Sequence, residues 1–184
     1  MNATMKMLIG ANRRYEAEGC FAGDVSPFRR AENAAGQKPY AAIVTCSDSR
    51  VIPEAVFSAG IGELFVVRTA GNVIGDPELA SLEYAVKHLH TDTVIVMGHT
   101  GCGAVSAALH GEFDGAVGVI TNRIKLAAGD ETDPYKACVL NVLHGVSALR
   151  RYFAVDGVTV AGAIYDILSG KVEFVDSGCN ENEH

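Results

Sequence analysis

Metal-ligand residues follow two apolar segments of this 184-residue chain. Cys46 ends the apolar run that begins at residue 40, and His99 and Cys102 follow the run 93–98. Thiolates and imidazoles are ligands that zinc prefers, and a catalytic zinc site combines three protein ligands with one open position. His99 and Cys102 are three residues apart and can face one point if a helix begins between them. The spacing therefore predicts a metal site on these three residues.

Two charged residues accompany the first of these cysteines. If the chain continues extended beyond Cys46, Asp48 and Arg50 point to the same side as the cysteine. This places a carboxylate beside the metal and a guanidinium beside the carboxylate. An exposed Asp–Arg pair contributes little to stability on its own. Next to a predicted ligand, the pair favours a catalytic metal site over a purely structural one.

The elements that must position these residues alternate between strands and helices. Apolar or alternating segments predict strands at 40–46, 64–68, 93–98, 158–165 and 171–175, and apolar spacings of three and four predict helices over the first 16 residues, 77–90 and 134–153. The order predicts an α/β fold, with a mostly parallel central sheet of about four parallel strands plus an antiparallel edge strand, flanked by helices. In such sheets ligands bind at the carboxyl ends of the strands, where both motifs stand.

Length and composition indicate a single domain over residues 1–184. The chain is 48% hydrophobic, which suits one sizeable core, and no stretch is rich enough in Pro, Gly or Ser to predict a linker. Residues 1–38 are interpreted as an N-terminal helix and a wrapping loop. Residues 180–184 are predicted to be a disordered tail.

Charge and cysteine content limit the partners and the compartment. The formal charge of -7 argues against a nucleic-acid or anionic-membrane surface. No apolar run approaches the roughly 20 residues that span a bilayer, and none near the N-terminus is long enough for a signal peptide. An odd number of cysteines favours a reducing compartment, so we expect a cytoplasmic protein with no membrane or nucleic-acid partner. The remaining cysteines are interpreted as small hydrophobic residues: Cys20, Cys138 and Cys179.

The two motifs are similar to the signatures of one enzyme family. The segments Cys46-Ser-Asp-Ser-Arg-Val51 and His99-Thr-Gly-Cys-Gly103 resemble the signature motifs of beta-class carbonic anhydrases. The likeness continues through other segments and covers most of residues 37–175. Those further segments are 62–68, Gly71-Asn72, 81–86 and 162–167.

This resemblance implies a reaction and a cofactor. The implied activity is the zinc-dependent reversible hydration of carbon dioxide to bicarbonate and a proton, by attack of zinc-bound hydroxide. One Zn²⁺ per chain is implied, with Cys46, His99 and Cys102 as its ligands. Asp48 and Arg50 match the family's dyad, in which the aspartate accepts a hydrogen bond from zinc-bound water.

The resemblance also implies a substrate pocket and an oligomer. Gln37 matches a position that helps to hold bicarbonate, and Phe65 and Tyr84 match residues that line a small apolar pocket. Gly103 is expected to offer a backbone N–H near the metal. The family builds this pocket at a dimer interface, which implies a homodimer or a dimer of dimers.

A few positions depart from the family pattern. Thr69 stands where Asn is commoner, and Thr100 stands where Ser is commoner. Ile43 stands where members with a non-catalytic bicarbonate pocket tend to carry Trp. This difference argues against that form of regulation, although Arg68 is present, and implies an accessible fourth zinc position.

Other functions use the same ligands. One alternative is a hydrolase of carbon disulfide or carbonyl sulfide on the same scaffold, which the motifs do not exclude. Another is a non-catalytic bicarbonate-binding zinc module, against which the Asp48–Arg50 pair counts. A zinc nucleobase deaminase is disfavoured, because its H-x-E and P-C-x-x-C pattern is absent. Four histidines are of a suitable type to shuttle the proton, without a choice among them: His88, His90, His110 and His144.

Overall fold

A computed structural model describes residues 1–111 and 113–176 of the chain. The predicted tail at 180–184 lies outside these residues, as does Cys179. The strands are β1 (Ala41–Cys46), β2 (Leu64–Thr69), β3 (Thr93–His99), β4 (Thr159–Tyr165) and β5 (Val172–Asp176). The α-helices are α1 (Ala3–Glu18), α2 (Pro27–Glu32), α3 (Pro53–Val56), α4 (Asp76–Lys87), α5 (Gly103–Leu109), α6 (Gly118–Ala128) and α7 (Pro134–Tyr152), with short 3-10 turns at Ala70–Asn72 and Gly115–Val117.

Over the described residues the five strands form one sheet in the order β2-β1-β3-β4-β5. The first three pairings along that order are parallel, and β5 pairs antiparallel with β4. This confirms the predicted fold class. The chain runs outward from β1 to β2 and then returns to the other side of β1 as β3. The carboxyl ends of β1 and β3 therefore border a topological switch point, where open α/β sheets bind ligands.

Helices cover both faces of the sheet, and the strand residues alternate between them. Ala42 and Val44 of β1 face the side of α4, α5, α6 and α7, whereas Ala41 and Ile43 face the side of α1 and α3. Every residue of β1 and β3 is buried. The continuous apolar runs in the sequence reflect this burial on two faces, as expected for inner parallel strands.

Local signals explain where several helices begin. Ser26 caps α2 by accepting a hydrogen bond from Arg29 N, with Pro27 at the first helical position. Asp133 caps α7 in the same way. The region 17–38, predicted as a loop, therefore contains one short helix, because the Ser-Pro start signal operates inside a Gly- and charge-rich segment.

Candidate metal centre

The structure brings together the three predicted ligands. Their ligand atoms all lie within 4.8 Å of one another, and the side chains are almost completely buried. Cys46 is the last residue of β1, His99 is the last residue of β3, and Cys102 is the N-cap of α5. The parallel pairing of β1 with β3 places both strand ends at the same crevice. Among the described residues this is the group of Cys, His, Asp and Glu that could hold a metal ion.

A tight turn brings Cys102 back toward His99. Gly101 lies in the left-handed region with φ 66°, a conformation that glycine adopts without strain. Thr100 N continues the strand pairing by donating to the Tyr165 carbonyl at 3.0 Å. The helix that was expected to begin between His99 and Cys102 begins at Gly103 instead, because the glycine turn must be completed first.

His99 presents one ring nitrogen without a hydrogen-bond partner. Its Nδ1 lies 3.0 Å from the Thr100 carbonyl, which fixes the proton on Nδ1. Its Nε2 is buried and has no partner among residues 1–111 and 113–176. A buried unpaired nitrogen is costly unless something binds it. A metal ion meets that need, and a backbone carbonyl on the other ring nitrogen is the usual support of a ligating histidine.

The two cysteines form a coupled pair. Their sulfur atoms are 3.9 Å apart. This contact is the largest influence lowering the pKa of Cys46, although burial opposes it, and the same contact together with burial raises the pKa of Cys102. Loss of a proton from one sulfur therefore opposes its loss from the other. A divalent cation favours loss of the second proton, since cysteine binds metals as the thiolate.

Backbone amides also stabilise the Cys46 thiolate. Gly71 N lies 3.2 Å from Cys46 Sγ, and Asp48 N lies 3.4 Å from it. Gly71 has φ 66°, and a Cβ atom at this position would lie 2.6 Å from Ile124 Cδ1. Asn141 of α7 holds this turn by donating from Nδ2 to the Gly71 carbonyl at 2.8 Å. Asn141 was not predicted, because a single polar residue on a helix carries no sequence signal of its partner.

Asp48 and Arg50 form the predicted ion pair with two parallel hydrogen bonds. Arg50 Nε donates to Asp48 Oδ1 at 2.9 Å, and Nη2 donates to Oδ2 at 2.7 Å. These bonds from Arg50 are the main reason that the pKa of Asp48 lies far below its usual range. The expected extended chain is not observed: β1 ends at Cys46, and a turn at residues 49–50 lets Arg50 N also bond Oδ1.

The ionised carboxylate lies beside the ligands. Asp48 Oδ2 is 3.9 Å from His99 Nε2, which accepts or donates no hydrogen bond within residues 1–111 and 113–176. Arg50 Nη2 also reaches the Gly101 carbonyl at 3.3 Å, so the dyad is tied to the turn between the second and third ligands. The site therefore combines two sulfurs and a nitrogen that could hold a metal ion with an adjacent acceptor-only carboxylate.

The predicted substrate residues separate into two groups. Gly103 begins α5 directly after Cys102, and the space beside its Cα is open. Phe65 pairs with Ala42, four residues before Cys46 along β1, which corresponds to about 13 Å along the sheet. One chain therefore does not bring Phe65 to its own metal ligands.

A second cluster lies at the amino end of the sheet and runs from Phe65 on β2 to a cavity next to the starts of β1 and β3. The rings of Phe65 and Tyr84 have centroids 6.3 Å apart, and Tyr84 stacks on His88 at 5.2 Å. His88 lines a cavity together with Gln37 and His90. We call these five residues the β2-side cluster. It gathers the three predicted substrate residues that do not border the ligands of their own chain.

The three positions that depart from the family pattern have structural roles. Thr100 Oγ1 accepts a hydrogen bond from Ile167 N at 3.2 Å, and Thr69 Oγ1 donates to the Val73 carbonyl at 2.6 Å. Ile43 is fully buried in the core on the α1 side. Across the part of the chain that is described, no helix is long and apolar enough to cross a membrane.

Comparison with known protein sequences identifies similar enzymes. A sequence model of the carbonic anhydrase family matches residues 41–172. Carbonic anhydrase 2 of Mycobacterium tuberculosis is 47% identical over 115 residues, which are 62% of this chain and 56% of that protein. The chain thus matches little more than half the length of that relative. The carbonic anhydrase of Mycolicibacterium smegmatis is 34% identical over 188 residues, covering 93% of this chain and 91% of that protein.

Solved structures show the same likeness. A structure from a study of two tetrameric beta-carbonic anhydrases of Sordaria macrospora superposes with a TM-score of 0.73 at 27% identity, covering 92% of this chain and 93% of that chain. The beta-carbonic anhydrase CafA of Aspergillus fumigatus superposes with a TM-score of 0.75 at 27% identity, covering 94% and 88%.

Proposed function

Because this chain belongs to the beta-class carbonic anhydrase family, we propose that it catalyses the reversible hydration of carbon dioxide to bicarbonate and a proton. The observation that carries the proposal is the arrangement around His99 Nε2. This buried nitrogen lacks a hydrogen-bond partner within the described residues, and it faces two cysteine sulfurs and an ionised carboxylate. A metal-assisted hydration needs both kinds of group in one place: ligands that hold the metal and an acceptor that orients water.

The cofactor in this proposal is one Zn²⁺ per chain, held by Cys46, His99 and Cys102. Two thiolates and one imidazole suit zinc, and three protein ligands leave a position for water. Bound zinc supplies a Lewis acid that lowers the pKa of water. The best-known example, with a water pKa of about 7, is a carbonic anhydrase with three neutral histidines. Here two thiolates offset the charge of the cation, so we expect weaker activation and a larger role for neighbouring residues.

Asp48 and Arg50 act as that neighbouring support. The carboxylate is an acceptor only, so it can orient a water molecule through a hydrogen bond. Arg50 keeps Asp48 ionised and, by holding both carboxylate oxygens, opposes its rotation onto the open metal position. A single arginine thus sets both the charge and the direction of the carboxylate.

A second subunit completes the substrate pocket in this proposal. Gln37, Phe65 and Tyr84 lie in the β2-side cluster rather than beside their own ligands. A two-fold dimer places one chain's surface against the corresponding region of its partner, so each cluster could serve the other chain's metal site. The tetrameric relatives from Sordaria macrospora support a homodimer or a dimer of dimers. Gly103 remains the substrate donor that each chain supplies to its own site.

We also propose a cytoplasmic location. The metal site needs two reduced cysteines 3.9 Å apart, and a reducing compartment keeps such a pair from forming a disulfide.

Two measurements on the purified chain test the proposed reaction. The first is zinc per chain, and the second is stopped-flow carbon dioxide hydration, run beside sulfide release from carbon disulfide and carbonyl sulfide. We expect about one zinc per chain and hydration well above the uncatalysed rate. Sulfide release without hydration would replace the proposed substrate, and zinc without turnover of any of the three would indicate a binding module.

A further inference from the structure

Arg68 lies on β2 and reaches across to the segment that carries the dyad. Its neighbour on β1 is Thr45. Its Nε donates to the Cys46 carbonyl at 3.2 Å, and its Nη2 donates to the Asp48 carbonyl at 2.7 Å. One side chain thus holds the backbone on both sides of Ser47, between the first metal ligand and the dyad carboxylate.

The backbone that Arg68 holds lies at the point where the chain stops pairing with β2. The pairing of β1 with β2 continues only to the bond from Ser47 N to the Thr69 carbonyl, at 3.1 Å. Beyond Ser47 the backbone turns, and Val51 N donates to the Asp48 carbonyl at 3.0 Å. The guanidinium of Arg68 presents donors in a rigid planar fork, so two bonds from it fix a backbone more firmly than two independent donors.

We propose that Arg68 is a positioning residue, which fixes the backbone from Cys46 to Asp48 so that the Asp48 carboxylate stays beside the metal site. Asp48 Oδ2 lies 3.9 Å from His99 Nε2, close enough for small shifts of its backbone to matter. A displacement on the order of 1 Å at a reacting group can cost about 100-fold in rate. The catalytic part of this inference rests on the proposed function, whereas the mechanical part does not.

Arg50 and Arg68 hold different parts of the same residue, Asp48. Arg50 bonds the side-chain oxygens of Asp48, whereas Arg68 bonds its backbone carbonyl. Loss of Arg68 therefore leaves the ion pair and its charge in place but releases the backbone that carries it. A residue that only changed the charge of Asp48 would have the opposite effect: it would alter the ion pair and leave the backbone in place.

The test uses Arg68→Met, Arg68→Lys and a matched control, Arg150→Gln. Arg150 also donates through Nε and Nη2 to a backbone carbonyl, that of Val160, at 3.2 and 2.8 Å, but on β4. Three quantities are measured: zinc per chain, kcat and KM for carbon dioxide hydration across pH, and amide hydrogen exchange of residues 50 and 51 in the metal-free protein.

Arg68→Met is expected to retain zinc, to lose about 10- to 100-fold in kcat with little change in KM, and to exchange its Arg50 and Val51 amides faster. Arg68→Lys should recover part of both effects, because lysine offers a point charge rather than a fork. Arg150→Gln should leave kcat and these two exchange rates unchanged.

Unchanged exchange at residues 50 and 51 in Arg68→Met and in Arg68→Lys would overturn the inference, as would a kcat loss that only follows lost zinc. Exchange is measured without metal or substrate. An inactive wild type would therefore overturn the proposed function. Faster exchange in the variants would still support the role of Arg68 in holding the backbone. If Arg68→Met fails to fold, Arg68→Lys alone decides between the two outcomes.

Discussion

The metal end of the sheet and the β2-side cluster differ in how much of their surroundings one chain supplies. At the metal end, the three ligands are buried, and hydrogen bonds hold Cys46, His99 and Asp48 in place. At the β2-side cluster, Tyr84 is 48% exposed and Gln37 is exposed as well. One chain thus preorganises the predicted metal site, whereas the residues expected to hold the substrate lie on a surface that a second chain could cover.

The largest effect should come from removing a ligand at the metal end. Cys102→Ala leaves only two of the three predicted ligands. Because metal binding needs the complete set, most of the free energy of zinc binding should be lost. We expect loss of bound zinc and of carbon dioxide hydration. Metal analysis and stopped-flow assays check both quantities.

Cys138→Ala is the matched control for that variant. Cys138 is also buried, and its sulfur lies 3.5 Å from the His99 carbonyl, but it is outside the ligand group. This variant should keep zinc and activity while losing some stability. Retention of zinc by Cys102→Ala would contradict the three-ligand assignment.

Combining two defective chains tests which metal site Tyr84 serves. Tyr84→Ala should lower kcat/KM about tenfold or more without loss of zinc, because a substrate contact is lost and no ligand changes. If Tyr84 serves the partner's metal site, mixed dimers of Tyr84→Ala with Cys102→Ala contain one intact site. Random mixing then restores about a quarter of the wild-type sites.

Subunit mixing and activity measurement provide the check. Mixing Cys46→Ala with Cys102→Ala is the control and should restore nothing, because every metal end stays defective. An absence of recovery with Tyr84→Ala would show that each chain completes its own pocket.

A smaller effect is expected from the residue that holds the turn behind Cys46. Asn141→Leu leaves the Gly71 carbonyl without its side-chain donor and loosens the amide that points at Cys46 Sγ. We expect a loss of about 1–3 kcal/mol in the free energy of unfolding and about 10- to 100-fold weaker zinc binding. Chemical denaturation and competition with a chelator measure these changes.

Asn12→Leu separates the two consequences of Asn141→Leu. Asn12 is also buried and bonds the backbone at Val56, Gly170 and Val172, on the α1 side of the sheet. Its loss should reduce the unfolding free energy with no change in zinc affinity. Equal zinc affinities in both variants would remove Asn141 from the support of the metal site.

The sequence predicted the sheet well because inner parallel strands leave a strong pattern. Buried residues on both faces of β1 and β3 appear as unbroken apolar runs, and those runs end at Cys46 and His99. Apolar spacing did not predict α5 and α6, nor the short helices α2 and α3, and for α5 and α6 the reasons are identifiable. The segment of α5 is mostly small residues without a clear periodicity, and α6 begins Gly118-Val-Ile-Thr, whose β-branched residues do not favour a helix.

The supports of the site were harder to predict than its ligands. Arg68 and Asn141 both act on backbone carbonyls, which every residue carries, so no residue type in the sequence marks their partners. The position of Phe65 relative to Cys46 depends on the register of β2 with β1, which only the fold determines. The motifs therefore predicted the residue types of the site, whereas the distance between Phe65 and the ligands could be read only from the fold.

The most direct test of the proposed chemistry is carbon dioxide hydration by wild type and Asp48→Asn at equal zinc occupancy, followed across pH. The pKa of Asp48 lies far below its usual range because of Arg50, so a rise of activity near neutral pH is not expected to come from Asp48, and the proposed mechanism assigns it to water activated by zinc. We expect wild-type activity to rise above neutral pH, and Asp48→Asn to keep zinc but lose most turnover at every pH. A wild-type rate already flat from about pH 6 upward would contradict weakened water activation by two thiolates, and full turnover in Asp48→Asn would contradict the role of the carboxylate.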